Sequence, residues 1–127
     1  MPITYRKDIE RNYVHVEWIG EITLHFLEKH LVEFFNDPFV ISSARDLTDV
    51  SKAELNFNGS QFESLINQIV IPLLAGRARK TAIVVQRPDQ FGVARQYNVF
   101  ADSYSVDKIF YDCDSALKWL LENNTRT

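Results

Sequence analysis

The chain has 127 residues, 46% of them hydrophobic and 24% charged, with a formal net charge of −3. One domain of that size buries roughly two-thirds of its unfolded surface, and the acidic balance excludes a general nucleic-acid binder. No apolar run approaches the ~20 residues of a bilayer span, the N-terminus MPITYRKDIE lacks a signal-peptide core, and the single Cys113 excludes an internal disulfide or a multi-thiolate zinc site. The expected setting is the cytoplasm.

In chain order, Ile3–Lys7 and Tyr13–Trp18 alternate apolar and polar residues around a polar connection at 8–12, the pattern of an antiparallel hairpin. Val14, Val16 and Trp18 share one face of the second strand, which is expected to break at Gly20. Thr23 is placed to cap a helix showing Leu24, Leu27, Leu31 and Phe34 or Phe35, ended by Asn36-Asp-Pro38. A third strand is expected over Ile41–Leu47, although Ser42, Ser43, Arg45 and Asp46 are poor strand formers. Residues 48–59 read as a connection with one helical turn, Ser51 and Glu54 being spaced as a capping box.

A second box, Ser60 and Glu63, opens a helix with a wide stripe from Phe62 to Leu74, in which Pro72 should kink or restart the last turn. Gly76 is the expected C-cap, with Arg77, Arg79 and Lys80 favouring the helix C-terminus. Thr81–Val85 is a continuous apolar run, as in a parallel strand covered on both faces. Pro88 holds Arg87 extended, and Asp89 is expected to cap a helix with Val93, Tyr97, Phe100, Ala101 and Tyr104 on one side. Gly92 is expected to allow close packing of that helix on the sheet. Val106–Tyr111 forms the last strand, Asp112 caps a helix over Ser115–Glu122, and residues 124–127 are a frayed tail. The order β-β-α-β-α-β-α-β-α predicts an α/β domain spanning 1–127, with a mixed sheet of about five strands and about four helices.

That order, together with Gly20-Glu-Ile-Thr23, Asp46-Leu-Thr-Asp49, Ala82-Ile-Val-Val85, Phe91-Gly-Val-Ala-Arg95, Phe110-Tyr-Asp and Ala116-Leu-Lys-Trp-Leu120, resembles the SpoIIAA-like group of the STAS superfamily (sulfate transporter and anti-sigma factor antagonist domains). The similarity covers nearly the whole chain. It implies a non-enzymatic bacterial regulatory module that docks a protein partner or itself, switched in the anti-sigma antagonists by phosphorylation of a serine at a helix N-terminus. The corresponding stretch here is Asn58-Gly-Ser60-Gln, so Ser60 alone carries over, without the family's preceding aspartate and following glycine. Capping of the helix also accounts for Ser60, and is the favoured reading.

Other candidate chemistry is sparse. His25 and His30, five apart on one helix, face different ways and do not form a metal pair. Cys113 has no evident partner base. No nucleophile–base pair, phosphate loop or metal set can be named, so neither an enzyme nor a cofactor is expected. Asp46, Asp49, Arg87 and Asp112 are expected near one another at the strand ends, with Arg95 reaching back from the next helix. Arg87 and Arg95 there would hold a phosphate or carboxylate; the competing and favoured reading is an internal ion pair with Asp46 or Asp49. Phe34, Phe35, Phe39, Phe57 and Phe62 cluster around the loops flanking the first and second helices. They suggest a pocket for a small apolar ligand or a dimer surface. A carrier or sensor of a small apolar or anionic ligand is therefore the alternative to the docking module.

Overall fold

A computed structural model describes residues 2–74, 78–102 and 105–122. Gly76, Arg77, Tyr104 and the tail at 124–127 lie outside the described residues, as does the side chain of Leu74. Five strands form one sheet in sequential order: β1 (Ile3–Asp8), β2 (Tyr13–Thr23), β3 (Arg45–Asn56), β4 (Arg79–Val84) and β5 (Ser105–Phe110). β1 and β2 are the antiparallel hairpin, paired from Ile3↔Trp18 to Asp8↔Tyr13, and every later pair is parallel. β4 lies between β3 and β5 with Ile83 6% and Val85 0% exposed, as its unbroken apolar run requires.

Helices α1 (Leu24–Phe34), α3 (Gly59–Leu65) and α5 (Pro88–Ala101) pack on one face of the sheet, and α6 (Cys113–Leu121) packs on the other. Together with short α2 (Pro38–Ser43) and α4 (Ile71–Leu74), these are the α-helices among the described residues. Four have seven or more residues, in line with the number expected. The helix begun by α3 passes through a π-helical turn at Ile66–Val70, where the Ile71 N–H reaches back to the Ile66 carbonyl, and restarts as α4. Pro72 sits in that restarted turn, where its missing N–H and its ring oppose a regular α-helix.

Several local expectations are corrected. Gly20 does not end β2. It adopts φ +77° inside the strand, beside a register shift between Glu17 and Ile19, and the strand runs on to Thr23. The third strand begins at Arg45, not Ile41, because Asp37 caps the extra helix α2 by accepting the Phe39 N–H at 2.9 Å, with Pro38 in its first turn. That helix ends at Ala44, which adopts φ 55°. Residues 48–56 are strand rather than connection, since Ile19–Thr23 of the prolonged β2 offers Lys52–Asn56 a parallel partner. The Ser51–Glu54 box therefore does not form.

The caps shift as well. Asn58, not Ser60, caps α3: its side chain accepts the Gln61 N–H at 2.8 Å, and Gln61 returns the bond to the Asn58 N–H at 3.0 Å. Arg87, not Asp89, stands at the cap position of α5, followed by Pro88, while Asp89 contributes charge to the first turn. Gly92 is not a packing glycine, for a Cβ there would meet nothing within 4 Å. Thr23 and Asp112 cap α1 and α6 as expected.

Candidate functional site

β2 and β3 outrun their neighbours, so carbonyls on the far part of β3 lack a strand partner in β4. The first turn of α5 supplies the missing donors. Gln90 Nε2 donates to the carbonyls of Ser51 (3.2 Å) and Ala53 (2.9 Å), and its Oε1 accepts the N–H groups of Gln86 (2.8 Å) and Arg87 (3.0 Å). Gln90 is 0% exposed, an acceptable burial for an amide with this many partners. Arg87 adds a bond to the Ala53 carbonyl at 2.6 Å and pairs with neighbouring Asp89 at 3.1 Å.

Asp46, at the start of β3, is buried on the face covered by α1, α3 and α5. Its partner is Arg79, with Nε 3.0 Å and a terminal nitrogen 2.8 Å from Oδ1. Thr81 and Thr48 donate to the same carboxylate at 3.1 and 2.7 Å. Arg79 is 6% exposed, donates to the Val40 carbonyl at 2.8 Å, and has its guanidinium 5.4 Å from both the Phe34 and the Phe35 ring centroids. Asp107 on β5 shares this polar floor. Burial, reinforced by the charge of Asp46, raises its pKa to about 7 against the pull of Ser105, Thr81 and Arg79. Tyr97 on α5 is also raised, first by burial and then by Asp107 and Asp46.

Beside this floor is a partly open cavity of about 80 Å³. Leu27, Phe34 and Phe62 form part of its apolar wall, and the sheet contributes Trp18, Val50 and Ile83. Polar residues that line it include His30, Asp46, Thr81 and Tyr97. Burial lowers the pKa of His30 to about 4 against the opposing charge of Asp46, so the ring is neutral at pH 7. The lining also includes Ile66, at the π-helical turn; such turns occur frequently at functional sites.

The structure does not gather Asp46, Asp49, Arg87 and Arg95 into one site. Asp46 and Asp49 lie on opposite faces of β3: Asp46 lines the cavity, whereas Asp49 accepts bonds from Ser51 (2.9 and 2.6 Å) and faces Cys113, whose sulfur is 3.5 Å away on the α6 side. Burial, with Asp49 nearby, pushes the Cys113 thiol up to about 11. Arg87 is tied to Ala53 and Asp89, and Arg95 is exposed. An internal ion pair with Asp46 does exist, but its arginine is Arg79, which the sequence reading placed among helix-terminal cations. Alternation along β4 was the available signal. Thr81 and Ile83 line the cavity, and Arg79 shares their face.

Of the five phenylalanines read as a cluster, Phe34, Phe35 and Phe62 line the cavity. Phe57 stacks on Phe62 at 5.6 Å, and Phe39 packs against the same core. Ser60 is exposed in the first turn of α3. Among the described residues, no three His, Cys, Asp or Glu side chains converge as a metal site. No described helix is long and apolar enough to cross a membrane.

Neither a protein-family model nor a curated protein matches the chain significantly. Solved structures do. An uncharacterised protein of the DUF3478 family with a SpoIIAA-like fold, from Shewanella loihica PV-4, superposes with a TM-score of 0.58 at 20% identity, covering 93% of this chain and 91% of that one. An anti-sigma factor antagonist from Mycobacterium paratuberculosis gives a TM-score of 0.57 at 15% identity, covering 94% and 95%. The fold of this chain is therefore SpoIIAA-like.

Proposed function

We propose that this domain is a non-enzymatic, STAS-type regulatory module that senses a small, largely apolar ligand in the cavity beneath α1, α3 and α5. The carrying observation is the cavity itself. Protein interiors are packed nearly as densely as organic crystals, yet here space for a small ligand remains between aromatic side chains and a few polar groups. Ligand burial there would change how α1 and α3 sit on the sheet, and so the surface they offer to a protein partner or a second copy. The experiment is native mass spectrometry of the protein purified from its source organism. A small-molecule adduct is expected, and it should vanish in Ala94→Leu, which fills the cavity from α5. Parent and variant each appearing only at its own bare mass would remove the ligand reading.

A second reading has its own support. Asn58 takes the capping role, leaving the Ser60 hydroxyl exposed in the first turn of α3, where a phosphate would meet backbone N–H groups and the helix dipole. An anti-sigma factor antagonist shares this fold, and the family resemblance of the sequence implies docking controlled by phosphorylation of a serine at a helix N-terminus. Intact-mass and peptide analysis of the same preparation should then find phosphate on Ser60. A Ser60 peptide that is never phosphorylated in the source organism would end that reading.

A further inference from the structure

The charges and unpartnered donors around the cavity narrow its ligand, granted the ligand reading above. We infer that the cavity takes an uncharged molecule whose head group accepts a hydrogen bond, an alcohol or a carbonyl compound, and discriminates against carboxylates and ammonium ions of the same length.

Anions are disfavoured because the nearby cation is already committed. Arg79 pairs with Asp46, donates to the Val40 carbonyl and lies against Phe34 and Phe35. Its buried terminal nitrogen that lacks a hydrogen-bond acceptor is held 2.8 Å from the Asp46 carboxylate, and Arg79 is not on the lining. Among the described residues no lysine or arginine lines the cavity, while Asp46 does, and its charge raises the cost of charge on nearby Asp107. A carboxylate entering there would lose its hydration beside carboxylates and gain no free cation. Cations fare poorly for a different reason. Asp46 already accepts from Arg79, Thr81 and Thr48, so an ammonium would be desolvated against a carboxylate whose acceptors are largely used.

Of the buried polar atoms left without a hydrogen-bond partner among the described residues, the one on a residue of the lining is a donor. Trp18 lines the cavity and is 7% exposed, and its indole Nε1–H is shielded from solvent with no acceptor among the described residues. A buried donor left unpaired is costly, and a ligand that pairs it recovers that cost on binding. His30, also on the lining, makes no hydrogen bond among the described residues. Its neutral ring carries one donor and one acceptor, so it serves a hydroxyl as well as a carbonyl.

The test uses the full chain with hexanol, hexanoate, hexylammonium and pressurised xenon. The probe is the Trp18 indole N–H resonance, identified against Trp119 with a Trp119→Phe variant. Hexanol should bind and move the Trp18 resonance downfield, with hexanoate and hexylammonium at least about tenfold weaker. Trp18→Phe should lower hexanol affinity about tenfold while leaving xenon uptake intact. Hexanoate or hexylammonium binding as well as hexanol would overturn the inference but leave the cavity reading standing. Hexanol binding without a shift of the Trp18 resonance would overturn it equally. If neither xenon nor any of the three hexyl compounds enters, the cavity reading fails and takes the inference with it.

Discussion

Helix α6 covers one face of the sheet with Ala116 and Leu120 fully buried against Tyr13, Leu47, Ala82 and Val84. On the other face α1, α3 and α5 bury far more apolar residues, and a cavity persists among them. The small Ala82 and Ala116 let α6 settle closely, and its contacts are non-directional, so atoms can shift until gaps close. The opposite face also buries Asp46, Arg79, Thr81, His30 and Gln90. Hydrogen-bonded groups hold fixed directions and distances, so their neighbours cannot slide into every space. Buried polarity and incomplete filling go together here, and a ligand site needs both.

The largest expected effect breaks the polar face at its centre. Arg79→Ala should destabilise by about 3–5 kcal/mol in urea unfolding, because it leaves the Asp46 carboxylate buried without its cation. Adding Asp46→Ala should recover much of that loss, giving a large coupling in the double-mutant cycle. Arg95→Ala should stay within about 0.5 kcal/mol, since Arg95 is exposed. Equal costs for Arg79 and Arg95 would mean that Asp46 does not depend on Arg79.

Dependence on pH between 4 and 7 should also come from this face. The folded pKa of His30 is lowered to about 4, so its contribution is full above the unfolded value of about 6.5 and is lost as pH falls toward 4. Asp107 works in the opposite direction. Its pKa is raised to about 7, so its contribution is full below about 3.8 and is lost as pH rises through 7. Comparing His30→Leu with the parent cancels the other carboxylates. The variant should gain about 2 kcal/mol relative to the parent between pH 7 and pH 4.5. No change in that difference would show that His30 protonates as freely in the folded protein as in the unfolded chain.

Matched alanines compare the packing of the two faces directly. Ala94 lines the cavity, whereas Ala116 is 0% exposed between α6 and the sheet. Ala116→Leu should overpack its site and cost about 1–3 kcal/mol. Ala94→Leu should be neutral or raise stability by up to about 1 kcal/mol, the usual return from filling a void. Thermal unfolding of both variants decides it, and similar losses in each would mean that the cavity face is as tightly filled as the other.

The hairpin, the central strand and the last helix were legible because each rests on a local pattern: alternation in Tyr13–Trp18, an unbroken apolar run in Thr81–Val85, an aspartate before α6. The second half of β3 was not. Its serines, lysine and glutamate look like a loop, and they become strand because β2 passes through Gly20 to pair with them and Gln90 closes the open edge. Both causes are distant in sequence. The candidate site was half legible. The phenylalanines suggested either an apolar pocket or a dimer surface, and the polar floor beside them depends on Arg79 and Asp46, 33 residues apart. The Trp18 donor is invisible without knowing that no acceptor faces it.

The smallest expected effects are at the helix caps. Asp112 caps α6 by accepting the Ser115 N–H at 2.7 Å, and Asn58 caps α3 by accepting the Gln61 N–H at 2.8 Å. Replacing either by alanine removes an acceptor from a helix N-terminus and should cost about 1 kcal/mol. Ser60 follows Asn58 inside the first turn, exposed and without a capping bond, so Ser60→Ala should stay within about 0.5 kcal/mol. Urea unfolding of the three variants measures the order. A loss at Ser60 matching that at Asn58 would return the capping role to the serine and remove the reason for its hydroxyl to be free for modification. Near-neutral behaviour of Ser60→Ala, beside a full loss at Asn58 and Asp112, would leave that hydroxyl without a structural task.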